Sequence, residues 1–100
     1  MTQTSLSLDP ARFHPAVLTR HARKRSQQRG IPARAITLIR SYGERSHDGR
    51  GGVRYTMTGR AMSKLIRAIG RDQSIDRLGG CYVVQSLDAA AVITVGHRTS

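Results

Sequence analysis

One hundred residues, 38% of them hydrophobic with one Phe, three Tyr and no Trp, suffice for one domain around a modest aliphatic core and leave no room for a second. Seventeen Lys and Arg against six acids give a formal charge of +11, which points to a polyanionic partner. No run approaches the roughly 18 apolar residues of a membrane span, and no segment joins a basic face to the bulky apolar face of an interfacial helix.

Fifteen of the bases are Arg, leaving Lys24 and Lys64 as the two lysines. A planar guanidinium pairs bidentately with phosphate and stacks on bases, so the bias favours nucleic acid. A GC-rich coding sequence would explain Arg in place of Lys but not the net charge.

Residues 1–14 are polar and lack apolar periodicity, which predicts a frayed arm preceding a single basic domain over 15–100. The opening MTQTSLSLDP has no charged-then-apolar pattern, so a cytoplasmic location is expected. From Pro15 a helix is predicted. At about 100° per residue, Leu18, Ala22, Arg25 and Arg29 share one stripe, with His21 beside it and Arg20, Arg23, Lys24 and Gln27 opposite. Long cations on an inward stripe need a groove or a carboxylate partner, for which Glu44 is available. Gly30 ends this helix.

Ile31-Pro32 restarts the chain. Ala35, Ile36, Leu38, Ile39 and Tyr42 occupy one arc of a second helix and Arg34, Thr37, Arg40 and Ser41 the other, with Gly43 as its stop. The two helices should form a hairpin. A β-hairpin follows over 44–47 and 53–58, its turn supplied by Asp48-Gly49 and Gly51-Gly52. A third helix is predicted over Arg60–Ile69 from the spacing of Met62, Leu65, Ile66 and Ile69, with Arg60, Lys64, Arg67 and Arg71 outward and Gly70 as its stop. Residues 72–80 read as loop. Cys81–Leu87 and Ala91–Val95 read as strands joined through Asp88. The expected architecture is α+β: an N-terminal helical hairpin packed on a small antiparallel sheet of about four strands, with an additional helix between the second and third strands.

Between Asp9 and Glu44 there is no acid, while eight Lys and Arg lie there. Such a one-signed surface concentrates a phosphate backbone around it. Candidate nucleic-acid contacts are Arg20, Arg23, Lys24 and Arg34 on the first two helices and Arg60, Lys64 and Arg67 on the third. Three tyrosines are too few for an open base-stacking platform.

Metal-independent RNA cleavage needs a base, an acid and fixed positive charge on the transition state. His21 and His97 are candidates for proton transfer, with Arg25 and Arg29 as electrostatic clamps. His97, at the end of the last strand, and His47, at the end of the first, would suit an acid and base pair if they share a sheet edge. His14, His21, His47, Cys81 and His97 show no metal-ligand spacing, so neither a metal nor another cofactor is expected. Cys81, in an apolar stretch, reads as a small core residue.

The run His21-Ala-Arg-Lys-Arg25-Ser-Gln-Gln-Arg29-Gly30-Ile31, the helix ending in Tyr42-Gly43 and the late Val92-Ile93-Thr94-Val95 together resemble the small bacterial and phage domains of domain-of-unknown-function family 4258. That family in turn resembles RelE-like and BrnT-like toxin ribonucleases. The resemblance spans about residues 18–97 and marks His21, Arg25, Arg29, Gly30 and Thr94 without giving any of them a role. It implies N-terminal helices on a small antiparallel sheet and a toxin-like endoribonuclease acting on RNA. The helix over Arg60–Ile69 departs from that plan. Two alternatives share the charge pattern: a non-catalytic nucleic-acid-binding accessory protein of a plasmid or phage, and an interaction module for an acidic, antitoxin-like protein.

Overall fold

The computed structural model describes residues 17–47, 49–86 and 91–98. The expected arm over 1–14 lies outside these residues. Val17–Leu18 form a short strand, β1, and not the start of a helix. The helix begins only where Thr19 can cap it. Thr19 Oγ1 accepts from the Ala22 amide at 3.1 Å, and α1 runs from Arg20 to Arg29. Gly30 closes it in the left-handed region at φ 64°, a conformation that costs an L side chain energy and glycine nothing.

Ala33–Tyr42 form α2, which buries Ala35, Ile36, Ile39 and Arg40. Gly43 ends α2 with an ordinary φ of −62°, so close approach is the reason for glycine there. A Cβ would lie 2.5 Å from the Ile39 carbonyl oxygen and 3.1 Å from the Thr56 amide nitrogen. Glu44–His47 and Gly52–Thr56 form the hairpin strands β2 and β3. Helix α3, Gly59–Ile69, is capped by the Thr58 hydroxyl and buries Ala61 and Leu65. A one-turn helix, α4, spans Gln73–Asp76 within the stretch that reads as loop. Asp72 caps it, and Ile75 and Leu78 anchor it in the core. Cys81–Ser86 and Ala91–His97 are β4 and β5; the predicted end of the first of these, Leu87, lies outside the described residues.

The domain is α+β, as expected, with the helical hairpin on the sheet. The sheet has five strands in the order β1-β5-β4-β3-β2 and is mixed, because β1 pairs parallel with β5 while the other pairings are antiparallel. The expectation of about four antiparallel strands missed β1, whose two residues are too few to show alternation. A register shift in β5 pairs Gln85 with Val92 and Val84 with Thr94. The bulge therefore buries Val92 and leaves Ile93 outside, 40% exposed. The core gathers Ile36 and Ile39 of α2, Leu65 of α3, Val53 and Tyr55 of β3, Val83 of β4 and Val92 and Val95 of β5.

Arg40 departs from the helical-wheel expectation of an outward residue. It is 1% exposed, and its Nε donates to Gln85 Oε1 at 3.0 Å. Positions four apart lie one above the other on a helix, so Arg40 continues the column of Ile36 into the core. Its grouping with Arg34, Thr37 and Ser41 on the polar arc had assigned it to water.

Candidate functional site

The connection between α1 and α2, the first turns of α2, the segment around α4 and the ends of β4 and β5 enclose a pocket of about 620 Å³. This lies within the range of roughly 300–1,000 Å³ occupied by small-ligand sites. Ile31, Leu38, Ile75 and Leu78 supply apolar wall. Arg29, Arg34 and Arg77 reach it from three different segments, and all three are exposed. Pro32 caps α2 without a side-chain hydrogen bond, and no acid lies in the first helical turn. The leading amides of α2 thus add positive potential at the border of the pocket.

His97 stands at this pocket with a contact on each ring nitrogen. Its Nε2 lies 3.4 Å from the carbonyl oxygen of Arg29, and its Nδ1 lies 3.3 Å from Cys81 Sγ. A carbonyl can only accept, so Nε2 carries the proton of that contact, while Nδ1 faces the thiol. The thiol also reaches the Arg77 carbonyl oxygen at 3.5 Å. Burial pushes the Cys81 thiol above its ordinary pKa, which makes it a packing residue and a weak donor, not a thiolate nucleophile. Ser74 lines the same pocket and donates to Asp72 at 2.7 Å. That bond first, the Ile75 amide second and the Arg34 charge to a lesser extent hold the Asp72 carboxyl below its ordinary pKa.

Of the residues singled out from the sequence, the pocket brings together Arg29, Arg34 and His97. His21 and Arg25 do not line it. His21 is exposed in the first turn of α1, eight residues and about 12 Å of helix from Arg29, while Arg25 is half-buried midway. Arg20, Arg23 and Lys24 are exposed along α1, and Arg60, Lys64 and Arg67 are exposed on α3. Thr94 is half-buried on β5.

The anticipated pairing of His47 with His97 at one sheet edge is not realised. His97 stands opposite Cys81 at the start of β4, whereas His47 stands opposite Val53, which pairs with Gln85 near the other end of β4. Antiparallel register, not strand count, decides which ends meet. Glu44 is likewise not a partner for the cations of α1, because it accepts from the Thr58 hydroxyl beside the start of α3. Arg77 and the Cys81–His97 contact were missed from sequence. Their signal was the Asp72 cap followed by Ile75 and Leu78, an i, i+3 apolar pair that marks the turn delivering Arg77.

Among the described residues no group of three or more His, Cys, Asp and Glu could hold a metal ion, and no helix is long and apolar enough to cross a membrane. Comparison with family models, with curated proteins and with solved structures gives no match.

Proposed function

We propose that this chain is a nucleic-acid-binding domain, with RNA as its ligand, that holds backbone phosphates on the cations of α1. The observation that carries this reading is the surface of that helix: Arg20, Arg23, Lys24 and Arg29 are exposed on a segment with no acid, and the helix buries Ala22. The three acids among the described residues are engaged elsewhere, with Glu44 on Thr58, Asp72 capping α4 and Asp76 on Arg71 at 3.0 Å. The choice of RNA over DNA draws on the resemblance to toxin ribonucleases. Filter binding of RNA and DNA at low ionic strength, repeated across a salt series, tests the reading. Retention should fall with salt by about 0.7–0.9 logarithmic units per log unit of salt for each phosphate neutralised. Absence of retention of either nucleic acid by the folded chain would overturn it.

A second reading, metal-independent endoribonuclease, is favoured by one observation: His97, hydrogen-bonded at both nitrogens, stands among Arg29, Arg34 and Arg77. Proton transfer at the histidine beside guanidinium groups is the chemistry that phosphodiester cleavage requires. His21, two turns away, would have to act from outside the pocket. Incubation with total RNA and with translating ribosomes in chelator decides it. Cleavage that disappears in His97→Ala supports the enzyme, and an intact RNA profile leaves the binding domain alone.

A further inference from the structure

We propose that the pocket bordered by Arg29, Arg34 and Arg77 binds the phosphomonoester of a nucleotide, either as a strand end or as a free mononucleotide. This rests on the nucleic-acid reading only for the strand-end source. Three arginines from separate segments line one cavity. Of the acids near this lining in sequence, Asp72 already accepts from Ser74 and from the Ile75 amide and Asp76 already pairs with Arg71, so three like charges border the cavity with little to offset them. A dianion between them would relieve that repulsion, and guanidinium forks match its oxygens bidentately. The first turn of α2, whose residues border the pocket, adds amides without a side-chain cap, and such amides are a common setting for phosphate.

The interior explains why the ligand is a nucleotide and not phosphate alone. Ile31, Leu38, Ile75 and Leu78 line the cavity, and its volume of about 620 Å³ exceeds what a small anion fills. A base or sugar against this wall and a phosphate at the arginine rim would satisfy both halves of the pocket. An internal backbone phosphate carries a single negative charge and is tethered on both sides, so it satisfies them less well. His97 acts here as a positioning residue: its bond to the Arg29 carbonyl ties the end of α1 to the end of β5 and keeps Arg29 at the rim.

The test titrates the full chain, by calorimetry and by amide and methyl NMR, with adenosine monophosphate, adenosine, inorganic phosphate and RNA decamers ending in 5′-phosphate, 3′-phosphate or hydroxyl. Adenosine monophosphate should shift resonances of Ala35, Leu38 and Leu78 and bind at least tenfold more tightly than adenosine or inorganic phosphate. If strand ends are the source, one phosphorylated decamer should exceed the hydroxyl-ended one by a similar factor; if free nucleotides are, the three decamers bind alike and the monophosphate still binds. Arg77→Gln, an exposed change, should remove the phosphate advantage and leave binding of the hydroxyl-ended decamer unchanged. No shift in the pocket with adenosine monophosphate, together with equal binding of all decamers, would overturn the proposal while leaving the α1 surface standing. Monophosphate binding without any decamer binding would uphold the pocket and overturn the reading of α1.

Discussion

Helices α1 and α2 are each ten residues long and flank one pocket, yet they are held by opposite means. Helix α2 buries Ala35, Ile36, Ile39 and Arg40, whereas α1 buries Ala22. Polar bonds to β5 fasten α1 at both ends. The Thr19 amide donates to the Val92 carbonyl at 3.0 Å and its hydroxyl to the Ile93 carbonyl at 3.2 Å, and His97 Nε2 meets the Arg29 carbonyl at 3.4 Å. Helix α1 thus carries a dense cluster of cations while burying one residue, Ala22, in the core. Under the proposed function, stability and phosphate binding should therefore be alterable separately.

The largest effect that could break this contrast is truncation in α2. Ile39 is fully buried, so Ile39→Ala should cost about 2–5 kcal/mol through lost burial and the cavity left behind. Arg23→Ala on the exposed face of α1 should change stability by no more than about 0.5 kcal/mol while weakening RNA binding. Urea denaturation of both variants checks the pair. Equal losses would mean that α1 is a structural helix after all.

A smaller effect belongs to the buried polar column of α2. Gln85→Leu removes the acceptor facing Arg40 Nε at 3.0 Å and should cost about 1.5–3 kcal/mol, the range for a hydrogen bond to a charged group. The same measurement sharpens the comparison: Arg40 of α2 is part of the fold, while Arg20, Arg23 and Arg29 of α1 are surface. A neutral result would show that the guanidinium is held without Gln85.

Arg40 also marks where sequence reasoning stops. The apolar columns of α2 and α3 were legible because aliphatic side chains at helical spacing have one low-energy place, and Gly30 and Gly70 stopped their helices as expected. Arg40 has two, solvent or a buried acceptor, and the acceptor sits 45 residues away on β4. No local pattern carries that information. The parallel pairing of Val17 and Leu18 with β5 is equally non-local. In the site, the charge surplus over residues 20–34 was visible in composition, but which cations meet was not. Arg29, Arg34 and His97 converge through the α1–α2 turn and the antiparallel register of β4 with β5, and the same register carries His47 to the other end of the sheet.

The smallest effect expected concerns the start of α1 and separates local from global stability. Thr19 Oγ1 both accepts from the Ala22 amide and donates to the Ile93 carbonyl, so Thr19→Val keeps the shape and the amide bond to Val92 but removes the cap and the hydroxyl's tether together. Loss of such a cap costs about 0.5–2 kcal/mol. With so little of α1 buried, this free energy should appear as fraying of that helix and not as unfolding of the domain. Hydrogen exchange should therefore quicken at the amides of α1 by roughly two- to thirtyfold, while those of α2 and β4 keep their protection. RNA affinity should fall in step, because a frayed α1 no longer presents Arg20, Arg23 and Lys24 as one surface. If α2 exchanges faster to the same degree, the two helices open as one unit, and the separation between a binding helix and a structural helix is lost.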